Sequence, residues 1–329
     1  MTAIREAPVV LELMQRIGKD TKAAAANLGR REARYMVDAY YMIQENRKRS
    51  SNQVRALDKT EEPNAVVDWF ASQFLSLEKS IARALDAYSA ASDLGMWARS
   101  IKGIGPIIAA GLLAHIDLTL TPTAGCIWRF AGLDPTLKWV GAKEAAGIVS
   151  DVMGSDKKVS QEHVIECARR INRKPEALTK ARDAVLDKSK WTREVLKAAV
   201  SMRPWNAALK TLCWKIGESF VKVSGNEKSF YGQLYLKRRI DEGVKNEAGD
   251  YADQAAAIMR DHPTHAQGKT YKQGKLPDGH LHARAKRYAV KMFLAHYHEK
   301  GRKLAGLPVP NPYPIEHLGH ADKIEIPES

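Results

Sequence analysis

The stretch Ile101-Lys102-Gly103-Ile104-Gly105-Pro106-Ile107-Ile108-Ala109-Ala110-Gly111-Leu112-Leu113-Ala114-His115-Ile116 has the clearest chemistry in the chain. Two glycines two residues apart allow a tight hairpin. Pro106 suits the first turn of a following helix, where a missing N–H costs nothing. Backbone amides then converge at the positive end of a helix dipole, a place where a phosphate is held without any base being read. Apolar residues at Ile108, Leu112 and Ile116 and a helical approach through Trp97 complete the pattern of a helix-hairpin-helix. Lys102, Gly103, Ile104 and Gly105 are therefore candidate nucleic-acid-binding residues.

Two further groups carry charge in a pattern. Between Gly268 and Lys303 there are 10 Lys and Arg against 2 Asp and Glu. At 100° per residue His280, Arg284, Arg287, Lys291 and His298 fall on one stripe of a helix whose other face is Leu281, Ala285, Tyr288, Ala289, Met292, Phe293 and His296. Arg284, Arg287 and Lys291 are the candidates here for following a phosphate backbone. Arg47, Lys48 and Arg49 form a third basic cluster, which reads either as a solvated helix face or as a nucleic-acid contact.

Eight of the ten histidines lie between His262 and His320, in the pairs His262/His265, His280/His282, His296/His298 and His317/His320. Histidine is a zinc ligand, yet no pair has the H-x-x-x-H helical spacing, and no third ligand set accompanies them. No metal and no cofactor are expected.

Helices must position these groups. Met36, Tyr40, Ile43, Arg47, Ser50, Val54 and Leu57 follow a 4-3 spacing, and Val67, Phe70, Phe74, Leu77, Ile81, Ala84 and Tyr88 repeat it. Such a seam predicts an antiparallel helical hairpin or a homodimeric coiled coil, broken between Asp58 and Asn64 by Pro63. Gly132 and Pro135 close a short helix after the hairpin. Residues 141–156 are glycine-dotted and read as a loop or boundary. From Lys157 to Val200 there are 12 basic and 6 acidic residues in two helical patterns, an inserted small module. Pro204 reads as the start of a long amphipathic helix with Trp205, Leu209, Leu212, Ile216, Phe220 and Val223. Period-2 alternation is nowhere sustained, so the fold expected is all-α. The segments are 1–30 (N-terminal), 31–90 (helical hairpin or coiled coil), 91–156 (helix-hairpin-helix), 157–203 (inserted module), 204–304 (core helices and basic helix) and 305–329 (extended tail, proline-rich at Leu307 to Pro314).

A net charge of +14 over 329 residues suits a polyanionic partner and offers ample chain for a core. Cys126, Cys167 and Cys213 lie far apart, which argues against a disulfide framework and for a reducing cytoplasm. The longest apolar run, Pro106 to Ala114, is too short to span a bilayer, and Arg5, Glu6 and Glu12 argue against a secretory signal. Phosphate-loop, dinucleotide-binding and H-E-x-x-H motifs are absent from the sequence, which weakens ATPase, oxidoreductase and metalloprotease readings.

The long Arg-rich helix, the second heptad helix, the Gly103-to-Pro106 hairpin with Ala109-Ala110-Gly111-Leu112-Leu113, and then Phe130-Ala131-Gly132-Leu133-Asp134-Pro135 together resemble one family. It is the insertion-sequence transposases that pair a RuvC-like domain with a helix-hairpin-helix domain, in their C-terminal half. Trp205 to Val223 with Phe230-Tyr231-Gly232-Gln233-Leu234 extends the likeness to residues 30–140 and 204–240. Two departures limit what it implies. Only about 30 residues precede the first long helix, too few for the RuvC-like carboxylate site, and Thr136-Leu137-Lys138-Trp139-Val140-Gly141 stands where the family places a nucleophilic serine. Ser150 and Ser155 lie downstream, outside that context. The resemblance thus implies DNA binding, to duplex or branched DNA in recombination, transposition or mobile-element biology, and helical dimerisation, with no catalytic residue assigned. The alternatives are an active transposase, recombinase or metal-dependent nuclease, and an RNA-binding or phage-encoded structural protein, since phosphate grips alone discriminate poorly between DNA and RNA.

Overall fold

A computed structural model describes residues 18–60, 65–311 and 323–327, and every regular element among them is helical, as expected. The order begins α1 (Lys19–Ala25), α2 (Arg30–Lys59), α3 (Ala65–Ala90), α4 (Asp93–Ser100), α5 (Pro106–His115) and α6 (Ala124–Phe130). Next come α7 (Ala142–Met153), α8 (Gln161–Arg170), α9 (Pro175–Lys180), which runs into a π-helical turn at Ala181–Val185, and α10 (Arg193–Ser201). The chain continues with α11 (Ala207–Lys222), α12 (Phe230–Glu247), α13 (Ala252–Asp261), α14 (Gly268–Lys272) and α15 (Asp278–Leu304).

The α2 and α3 helices pair within one chain, while the break expected around Pro63 lies partly outside the described residues. Their buried contact is Val37, Ile43, Ile81 and Leu85, joined by Ala110 of α5, with Tyr40, Phe74 and Leu77 half-buried beside it. A third helix therefore completes this end of the seam. Away from α5 two helices alone cannot enclose a side chain, and Phe70, expected in the seam, is 51% exposed. Arg47, the polar intruder in the heptad pattern, forms an ion pair with the buried Glu78 across the seam.

The main core surrounds α5. Leu112, Ile127, Leu212, Ile216, Phe220, Tyr231 and Phe293 are buried there with Trp97 and Tyr297. The small residues of α5 have a direct cause: a Cβ at Gly111 would lie 2.8 Å from Leu212, so only a near-bare backbone lets α5 approach α11 this closely.

The α7 to α10 helices gather a separate core of Val149, Val164, Leu178, Leu196 and Val200, with Ala145 and Met153. This corrects the loop expected at 141–156. Two of its three glycines sit at the ends, Gly141 before α7 and Gly154 (φ +50°) after it, with Gly147 inside the helix, while Ala145, Val149 and Met153 lie four apart on the buried face. The small module thus begins before residue 157. The helix expected from Pro204 starts instead at Ala207, because the Asn206 side chain accepts from the Leu209 amide (2.8 Å) and caps it. Residues 1–17 and 312–322 of the two terminal segments lie outside the described residues. Lys323 to Pro327 return to α15, where Lys323 pairs with Glu299 (3.0 Å) and Ile326 packs on the main core.

Candidate nucleic-acid interface

The turn between α4 and α5 is anchored on one side and open on the other. Ile101 and Ile104 are buried, and the Ile104 amide donates to the Ile101 carbonyl (2.9 Å). Gly103 has φ +101°, a region that side chains rarely adopt, and a Cβ there would press within 3.3 Å of Phe220, Ser219 and Val223. Its carbonyl accepts from Ser219 Oγ (2.5 Å), which ties the turn to the end of α11. Gly105 differs. Its φ of −89° and ψ of 174° suit any residue, and a Cβ would meet nothing within 4 Å. Behind it the amides of Gly105, Ile107 and Ile108 have no hydrogen-bond acceptor among the described residues, and Pro106 has no N–H to offer. Lys102 is exposed alongside them.

The basic candidates divide by their partners. Arg47 is engaged with Glu78, Lys48 pairs with the exposed Glu45 (2.8 Å), and Arg49 stays exposed. Arg284 Nε donates to Glu242 (2.6 Å), a carboxylate only 1% exposed that also accepts from Arg238 Nε (2.8 Å) and the Tyr251 hydroxyl (2.5 Å). Burial pushes the Glu242 carboxyl up, but its Tyr251 and Arg284 hydrogen bonds outweigh that and the net shift is downward. Arg284 is therefore paired internally, on a carboxylate it shares with Arg238. Arg287 is exposed and has no ion pair among the described residues, and Lys291 Nζ rests 5.3 Å from the Trp128 ring centre. The hairpin glycines and the α15 cations do not form one cluster: Gly103 meets the C-terminal end of α11, while Lys291 lies over α6.

The paired histidines serve packing. His296 Nδ1 meets the Tyr231 hydroxyl and its Nε2 the Ile324 carbonyl (both 2.8 Å), while His298 Nε2 meets the Thr121 carbonyl (2.8 Å). His282 and His280 bond the hydroxyls of Tyr235 and Tyr271 (2.8 and 3.4 Å). Burial, as the largest cause, lowers the pKa of all four. The expected helical stripe is thus interrupted, since His298 is buried rather than aligned with Arg287 in solvent. Among the described residues no three metal-ligating side chains converge. His262 and His265 are exposed, and His317 and His320 lie outside the described residues. Ser150 on α7 and Ser155 after it are both exposed.

Trp128, Trp205 and Lys210 stand outside the nucleic-acid-binding candidates that the sequence pattern marks. Lys210 Nζ stands 3.9 Å over the Trp205 ring, and Trp205 covers Gly132, whose φ is +65°. No local signal marks these residues, which come from α6 and from α11 and its margin.

The described residues define a class first: an all-α protein in which a tight turn with acceptor-free amides joins α4 to α5. Residues 97–151, from α4 through the hairpin into α7, match the sequence family described as Transposase IS116/IS110/IS902 family. That match, over 55 of the chain's 329 residues, is a likeness to transposases of insertion sequences. No curated protein and no solved structure gives a match. No helix among the described residues is long and apolar enough to cross a membrane.

Proposed function

We propose that this chain binds DNA, duplex or branched, by seating a backbone phosphate on the hairpin between α4 and α5. The observation that carries this reading is the set of three amides, Gly105, Ile107 and Ile108, without an acceptor among the described residues, at the start of a ten-residue helix behind a glycine with open space before it. An anion there meets free N–H donors and the positive helix end together. Lys102 adds a charge contact, and Ile104, buried beneath the turn, holds the amides in place. The family match over the same residues supports DNA as the polyanion. Contacts of this kind position the nucleic acid and carry no sequence information.

Fluorescence anisotropy with duplex, four-way-junction and single-stranded DNA, and with RNA, tests the reading. Duplex or junction DNA is expected to bind more tightly than RNA, and Gly105→Val to weaken every DNA form alike. A folded Gly105→Val protein with unchanged affinity would refute the hairpin as the grip.

A further inference from the structure

A group of cations lies away from the hairpin. Three segments are sewn together there: Asn206, ahead of α11, donates its amide to the Phe130 carbonyl at the end of α6 (2.9 Å), and Trp128 Nε1 donates to the Lys291 carbonyl on α15 (3.1 Å). Trp205 closes over Gly132, where a Cβ would lie 2.7 Å from the indole. On this framework Lys210 sits on the face of Trp205, Lys291 on Trp128, and Arg203 on Trp139 at 4.7 Å. An aromatic ring steadies a cation without cancelling its charge.

Arg287 stands one helical turn before Lys291 on α15 and is exposed there. The carboxylates that reach these cations are already engaged. Asp134 is held by Arg129 (3.2 Å) and by the Thr136 amide (2.9 Å), and Glu242 by Arg238, Arg284 and Tyr251. Burial and then the neighbouring cations lower the pKa of Lys210, and burial does the same for Lys291. Positive charge is thus gathered beside carboxylates that already hold other partners.

We propose that Lys210, Arg287 and Lys291, with the first and last propped on Trp205 and Trp128, form a second binding site for nucleic-acid phosphates. The hairpin packs on the C-terminal end of α11, and Lys210 lies in its first turn, nine residues before Ser219 and so about 14 Å away along the helix. A DNA held at the hairpin and here is gripped at two separate points. The site rests on DNA as the partner but not on the hairpin as such.

The test is the salt dependence of duplex binding for the variant Lys210→Gln, Arg287→Gln, Lys291→Gln, with Lys157→Gln, Lys158→Gln, Lys190→Gln as a control of equal charge change. All three control lysines are exposed on the helical module. Removing one cation from a phosphate lowers the slope of log K against log salt by about 0.9, so the cluster variant is expected to drop by about 2–3 in slope and the control little. Equal drops in slope in both variants mean that only net charge matters, and overturn the site. An unchanged slope in the cluster variant also overturns it. Orthophosphate binding that depends on the cluster, with the DNA slope unchanged, would assign it to a free anion and overturn it likewise. If Gly105→Val is silent while the cluster variant flattens the slope, the hairpin reading falls and the cluster stands. The reverse result removes the cluster alone, and a wild-type protein that binds no DNA removes both.

Discussion

The two hairpin glycines separate folding from binding, because the structure demands only one of them. At Gly105 the backbone is already extended and open space awaits a side chain, so Gly105→Ala restricts only the unfolded chain and is expected to stabilise by about 0.4–1 kcal/mol. At Gly103 the φ of +101° costs about 1–3 kcal/mol for an alanine, to which a crowded Cβ against Phe220, Ser219 and Val223 adds. For a chain of this size each kcal/mol moves the melting midpoint by roughly 1–2 °C, so urea unfolding, which reads free energy directly, is the better assay. Binding should rank the opposite way. A bulky Gly105→Val displaces a phosphate from amides whose charge-assisted bonds contribute about 1.5–3 kcal/mol, a loss of about 10- to 150-fold in Kd. The decisive comparison is Gly105→Val, native in its urea midpoint but defective in anisotropy. If that variant unfolds at markedly lower urea, or binds like the wild type, the division of roles between the glycines is wrong.

Other expectations follow from burial and pairing. Phe293→Ala, which empties a fully buried position between Trp97, Phe220 and Tyr231, should cost about 3–5 kcal/mol, whereas Phe74→Ala at a half-buried place should cost about 1–2 kcal/mol; equal losses in urea unfolding would contradict the seam described. Arg284→Gln should destabilise by about 1.5–3 kcal/mol through the buried Glu242, yet leave the salt slope of DNA binding as it was; a flattened slope would return Arg284 to the interface. His115, His280, His282, His296 and His298 all have pKa values lowered below 6.5, burial first among the causes. Below about pH 6.5 the unfolded chain binds more protons than the folded one, so stability is full above that pH and falls beneath it. Melting midpoints that stay level from about pH 7.5 to about pH 5 would show that these rings are not held neutral.

Much of the framework is legible in local pattern. The 3.6-residue periodicity, the 4-3 seam of α2 and α3 and the Gly103-to-Pro106 turn each state a backbone preference within a few residues, and helices are local structures. The hairpin could be read because its glycines and proline act on their own backbone. The tertiary structure decided which charges remain free. Arg47, Arg284 and Arg287 look alike in sequence, but Glu78 and Glu242 lie 31 and 42 residues from the arginines they pair with, while Arg287 has no ion pair among the described residues. It also decided that α5 completes the seam, that residues 142–153 fold as a helix in one core with Val164 and Val200, and that Lys291 meets Trp128 while Trp205 closes over Gly132. Those outcomes depend on contacts between segments distant in the chain, where periodicity gives the face of a helix but not what lies opposite it.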